Sequence, residues 1–172
     1  MSLEIVKKIA DLKEQISICL DKRAAKNDEI RSSMNGELVK SFEEYLAANG
    51  FDVTATAGSG RKATYKDVVV ELRLAGKDDN YMGTYHSFDI IYKGQENFIR
   101  IIPDIPSPPG EALPQGTEIE KLQKNLASLE EQLKNYYVKS YDFEIIVKKS
   151  GRQPAARTAK KTMQEVIDHI LG

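Results

Sequence analysis

At 172 residues and 19.3 kDa, with 25 Lys+Arg against 26 Asp+Glu, the chain has the length of one domain and a net charge of -1 that singles out no class of partner. Hydrophobic residues at 41% beside charged ones at 30% exclude a disordered or fibrous chain. One cysteine, Cys19, excludes an intrachain disulfide, and with two scattered histidines, His86 and His169, the four ligands of a structural zinc site are not there. No metal and no cofactor is expected. The longest apolar pieces, such as Val68-Val69-Val70, fall far short of the ~20 residues of a membrane span. The start, Met1 to Lys8, lacks the pattern of a signal peptide. No membrane partner and a cytoplasmic location are therefore the expectation.

In chain order, Ile5, Ile9, Leu12, Ile16 and Cys19 recur in steps of four and three, a heptad-like stripe that predicts a helix over residues 3–25. A second helix is expected after Asn27, carrying Ile30, Met34, Leu38, Phe42, Tyr45 and Leu46. It closes at Asn49-Gly50, where glycine supplies the left-handed residue that ends a helix. Together the two read as a helical hairpin over residues 1–50.

From Phe51 the period changes to two. Phe51, Val53 and Ala55 share one face of a strand, and Ala57-Gly58-Ser59-Gly60 interrupts it. Val68, Val70, Leu72 and Leu74 form the apolar face of the next strand. His86, Phe88, Ile90 and Tyr92 alternate in a third, and Phe98–Ile102 supplies a fourth. The short turns between them predict an antiparallel meander over residues 51–102.

Five of the six prolines lie between Pro103 and Pro114, so residues 103–116 read as a connector. Thr117 with Glu120 three residues on is a capping box, opening a long amphipathic helix marked by Ile119, Leu122, Leu126, Leu129, Leu133 and Tyr136. Tyr141, Phe143, Ile145 and Val147 alternate as a fifth strand, completing residues 117–149. Residues 150–172 read as a basic linker and a C-terminal helix from about Thr158 to Leu171. The expected fold is a single α+β domain, 1–172, with an antiparallel sheet of four to five strands.

Charge is polarised along the chain. Between Glu144 and Glu165 lie Lys148, Lys149, Arg152, Arg157, Lys160 and Lys161 with no acid among them, a set able to neutralise phosphates. Arg61 and Lys62, after the glycines of the 57–60 loop, add to it. That loop lacks the spacing and following helix of a phosphate-binding loop. No Gly-x-Ser-x-Gly nucleophile pattern is present, and neither histidine sits in a motif that makes it a base.

The helix closing at Asn49-Gly50, followed by Phe51-Asp52-Val53 and further strands, is similar to the opening of restriction-endonuclease-like nucleases. The resemblance covers about 50 residues. It implies a divalent cation held by a helical acid, Glu43 or Glu44, a strand acid, Asp67 or Asp89, and Glu71. Where the family carries Glu-x-Lys this chain has Glu71-Leu72-Arg73, and arginine does not deprotonate to activate water.

With no catalytic residue assigned, the leading expectation is a non-enzymatic interaction module, a small regulator or inhibitor that binds a protein partner through amphipathic helices. Ile5, Ile9, Leu12 and Ile16 on the first helix, and Leu122, Leu126, Leu129 and Leu133 on the long one, are its expected interface. These seams suit each other within one chain, a second copy in a homodimer, or a partner's helix. The alternatives are nucleic-acid binding by the basic segment and a divalent-metal nuclease built on Asp67, Glu71 and Asp89.

Overall fold

The computed structural model describes residues 2–76, 84–106, 115–147 and 156–172. They fall into two compact units, one of residues 1–30 and 105–139, the other of residues 31–104 and 140–172. Helix α1 (Leu3–Ala48) supplies residues to both.

In the first unit, α1 up to Ile30 accompanies α2 (Glu118–Asn135). The expected capping box opens α2: Thr117 Oγ1 accepts from the Glu120 amide, and the Thr117 amide donates to the Glu120 side chain. Those contacts hold the Glu120 carboxyl below its usual range.

In the second unit, seven strands follow one another in a single antiparallel meander. They are β1 (Asp52–Ala55), β2 (Arg61–Tyr65), β3 (Val68–Leu74), β4 (His86–Tyr92), β5 (Gln95–Asp104), β6 (Ser140–Val147) and β7 (Ala156–Lys160). The register aligns Leu72 with Ile90, and Phe88 with Ile99 and through it Ile145, so alternate residues form one apolar face. Met34, Leu38, Phe42 and Leu46 of α1 and Met163, Val166 and Ile167 of α3 (Met163–Leu171) complete the core. Each such side chain contributes about 1.5–3 kcal/mol on burial. Phe88 meets Phe143 edge-on, with ring centroids 5.8 Å apart.

Helix α1 ends as expected. Gly50 has φ +83°, its amide donates to Ala47, and the Phe51 amide donates to Leu46, the paired bonds of a Schellman closure. Tyr45 Oη donates to the Asp168 carboxylate, tying α1 to α3.

The sequence reading needs correction in four places. The helical hairpin is one continuous helix, Leu3–Ala48. Ala24-Ala25 favour helix, and neither Gly nor Pro interrupts residues 23–30. Asn27, expected to begin a new helix, instead uses its side-chain oxygen to accept from Tyr136 Oη. The sheet has seven strands rather than four to five, the additional two being β2 and β7. Both are short and polar: Ala63 is the one fully buried side chain of β2, and β7 has none. Each is fixed by backbone pairing with a neighbour whose own pattern is clear. β7 also shortens the C-terminal helix, which begins at Met163 behind a Thr162 cap rather than near Thr158.

Pro103, assigned to the connector, lies within β5 opposite Tyr141. The pairing of β4 with β5 stops at Ile101, so at Pro103 the strand has a neighbour on one side only, the edge-like place a proline tolerates. The rest of the connector, from 107 to 114, lies outside the described residues.

Candidate functional site

Two surfaces hold the residues to which the sequence points: the helical pair of the first unit and the helix-free face of the sheet in the second.

The pair is parallel. Lys13 Nζ lies 3.2 Å from the Glu118 carboxylate, Arg23 donates to the Gln132 side chain at 3.4 Å, and Tyr136 donates to Asn27. Contacts thus advance along both helices in the same direction. Lys13 and Glu118 stand at the flanking positions that form ion pairs across parallel coiled coils. Lys26 donates to the Leu133 carbonyl at 3.0 Å, satisfying one of the open carbonyls at the end of α2, and the Arg23 guanidinium lies over the Tyr136 ring.

The expected interface residues therefore occupy this seam. Leu12, Cys19 and Leu129 are buried; Ile9, Ile16, Leu122, Leu126 and Leu133 are half-buried; Ile5 is exposed. Two helices shield a seam from one side each, which is why burial stops halfway. What the seam pattern missed is a flank: Val6 and Leu20, each 48% exposed, stand beside it on α1. Their signal was a second seven-residue spacing, Val6, Lys13 and Leu20, one position after Ile5, Leu12 and Cys19.

On the sheet, the register places Glu71, Arg73, Asp89, Arg100 and Glu144 on the face opposite the core. Oppositely charged groups meet there. Arg100 Nη2 lies 2.6 Å from Glu144 Oε2 directly across β5 and β6, with Arg157 at 3.9 Å from the same oxygen. The Arg100–Glu144 contact lacks hydrogen-bond alignment, and Arg100 Nε is buried without an acceptor among the described residues. Arg73 meets Glu96 at 2.9 Å, Lys62 meets Glu71 at 3.8 Å and Lys161 meets Asp142 at 2.6 Å.

These pairings decide what the basic residues are doing. Arg61 donates through Nε to Glu43 and through Nη1 to the carbonyls of Ser59 and Gly60, clamping the β1–β2 loop to α1. Lys160 is half-buried and aligned with Phe143 on the core side. Lys148, Lys149 and Arg152 lie outside the described residues. Among the described members, Arg61, Lys62, Arg157 and Lys161 each sit beside a carboxylate, so phosphate would compete with an internal anion at each.

The acids named by the nuclease resemblance are divided. Glu43 lies on α1 and bonds Arg61, whereas Glu71 and Asp89 are on the opposite face and Asp67 is in the β2–β3 turn. Among the described residues, no group of three or more His, Cys, Asp or Glu is arranged to hold a metal. No described helix is long and apolar enough to cross a membrane.

An open crevice of about 370 Å³ lies between α1 and the β1–β2 loop, lined in part by Ser32, Asn35, Gly36, Ser59 and Arg61. Behind it, buried His86 has its Nε2 2.6 Å from Asn35 Oδ1. Burial, and then the Arg31 charge, push the His86 pKa below the ordinary histidine value. Tyr141 donates to Glu37 at 2.8 Å, and burial together with that bond raises its pKa. Both are hydrogen-bonded elements of the helix–sheet interface. His169 is exposed in the last turn of α3.

Comparison of the chain with models of protein families, with curated proteins and with solved structures gives no match.

Proposed function

We propose that the chain is a non-enzymatic interaction module, a small regulator or inhibitor that works by binding a protein partner through the helical pair of its first unit. The observation that carries this reading is the exposed apolar flank of α1, Val6 and Leu20, beside a seam already occupied by α2. The two side chains stand fourteen residues apart on one side of the helix, with Lys13 between them. Burying a flank of this kind against another helix is favourable by about 25 cal/mol per Å² before association costs.

The charged face of the sheet supports the same choice by subtraction. Among the described residues, Arg73, Arg100 and Lys161 are each matched by a neighbouring acid, which leaves less field for an anionic polymer there.

Photo-crosslinking in cells tests the reading. A photoreactive residue at position 20 is expected to form an adduct with a protein chain, and one at the exposed Asp21 is not. Absence of any adduct at position 20 overturns it.

A further inference from the structure

We infer that Asn49-Gly50, where α1 gives way to β1, is a site of spontaneous covalent modification, at which the Asn49 amide is converted through a cyclic imide to aspartate and isoaspartate.

The step balances with water as its one co-reactant. The Gly50 amide nitrogen attacks Asn49 Cγ, and its proton leaves with the side-chain nitrogen as ammonia. In the five-membered imide so formed, that nitrogen joins both carbonyl carbons of residue 49. Water then opens the ring, giving its hydroxyl to carbon and its hydrogen to nitrogen. Opening at Cγ leaves an ordinary main chain bearing aspartate. Opening at the main-chain carbonyl routes the backbone through the side chain, as isoaspartate. Glycine in the following position favours closure, because no Cβ crowds the attacking nitrogen.

The sequence holds two Asn-Gly pairs, Asn35-Gly36 and Asn49-Gly50, and the structure separates them. Asn35 lies inside α1, next to buried Met34 and one turn from buried Leu38, with its Oδ1 2.6 Å from Nε2 of buried His86. Freeing it means opening the middle of the helix together with the core that the helix covers. Asn49 lies one residue beyond the helix, and both it and Gly50 are exposed. Three hydrogen bonds hold this pair. Asn49 Nδ2 donates to the Tyr45 carbonyl at 2.8 Å, the Asn49 amide to Leu46 at 3.1 Å and the Gly50 amide to Ala47 at 3.0 Å. All three belong to the closing turn, and helix ends open at far lower cost than helix interiors. Ala47 and Ala48 are themselves exposed, so opening there uncovers no core side chain.

The products act on the junction itself. Either acid sets a negative charge at the negative end of the α1 dipole. Isoaspartate also lengthens the main chain by one carbon between residues 49 and 50. The Gly50–Ala47 and Phe51–Leu46 bonds then lose their spacing just ahead of Asp52, where pairing with Thr64 begins.

Incubation of the full chain in mildly alkaline buffer, followed by tryptic peptide mapping, tests the inference. Trypsin places each pair in a peptide with no other asparagine, 32–40 and 41–61. From the folded chain, peptide 41–61 is expected to gain the mass of an amide turned acid and to split into aspartate and isoaspartate species, while 32–40 is unchanged. From the chain held in urea, both are expected to convert, and in folded Asn49→Gln peptide 41–61 is expected to stay unconverted. The converted chain is expected to melt at a lower temperature than Asn49→Gln treated alike. A 41–61 peptide that converts in urea but not in the folded chain overturns the inference. Equal conversion of the two peptides in the folded chain overturns the separation drawn from the structure, and an unchanged melting temperature overturns the effect on the junction.

Discussion

His86 Nε2 lies 2.6 Å from Asn35 Oδ1, joining a buried histidine of β4 to the middle of α1. With Asn35 presenting its oxygen, the ring donates through Nε2. Burial, and then Arg31, lower its folded pKa, so the unfolded chain binds the proton more readily, near the ordinary value of about 6.5. The stability this group contributes is complete above that value and is lost progressively as the pH falls below it toward the folded pKa. Urea midpoints at neutral pH and at mildly acidic pH are expected to fall in the unmodified protein and to converge in His86→Gln. A pH dependence unchanged by the replacement refutes this assignment.

Glu144 of β6 stands opposite Arg100 of β5 and within ion-pair range of Arg157, with its side chain 14% exposed. Removing one member of a largely buried pair leaves an unmatched charge, whereas removing both leaves none. Glu144→Ala is therefore expected to cost about 2–3 kcal/mol, discounted from the fully buried case for the partial exposure of Arg100. The double replacement Arg100→Met with Glu144→Leu is expected to recover most of that. A denaturant-based double-mutant cycle measures the coupling, and a cycle that closes at zero shows the pair to be idle.

Much of this fold was legible in residues with a strong period or a special cap. Thr117 and Glu120 located α2, Asn49-Gly50 located the end of α1, and the alternation from Val68 to Leu74 located β3. β2 and β7 were not legible because strands such as Arg61–Tyr65 and Ala156–Lys160 are held by ladders with their neighbours, and little of their own side-chain pattern records it. The false break at Asn27 has a similar cause. Its side chain is committed to Tyr136, a residue more than a hundred positions away, and no local rule reports that. The period of α2 was legible in its leucines, of which Leu129 is buried. The exposure of Val6 and Leu20 was not, since Lys13 stands between them and breaks the apolar spacing.

Gly36 and Gly60 give opposite answers to the same replacement. A Cβ at Gly36, inside α1, meets nothing within 4 Å, so Gly36→Ala gains helix propensity at no packing cost. An increase of about 0.5–1 kcal/mol is expected. A Cβ at Gly60 falls 2.6 Å from the Leu72 carbonyl oxygen and 2.7 Å from Thr56 Oγ1, where the β1–β2 loop crosses β3. Gly60→Ala must displace backbone there and is expected to destabilise. Thermal melts of the two variants settle the pair, and a loss of stability in Gly36→Ala contradicts the open space seen beside it.

Leu129 is the most buried residue of α2, in the seam it shares with α1. Leu129→Ala removes apolar contact without a charge and is expected to cost about 2–3 kcal/mol, the lower part of the range for buried leucines because a two-helix seam can partly collapse. Because α2 belongs to the first unit and the sheet core to the second, the loss is expected to be local. Hydrogen exchange should rise over Glu118–Asn135 and over α1 before Ile30, while amides of β4, β5 and β6 keep their protection. Uniformly faster exchange across the sheet would show instead that the two units unfold as one.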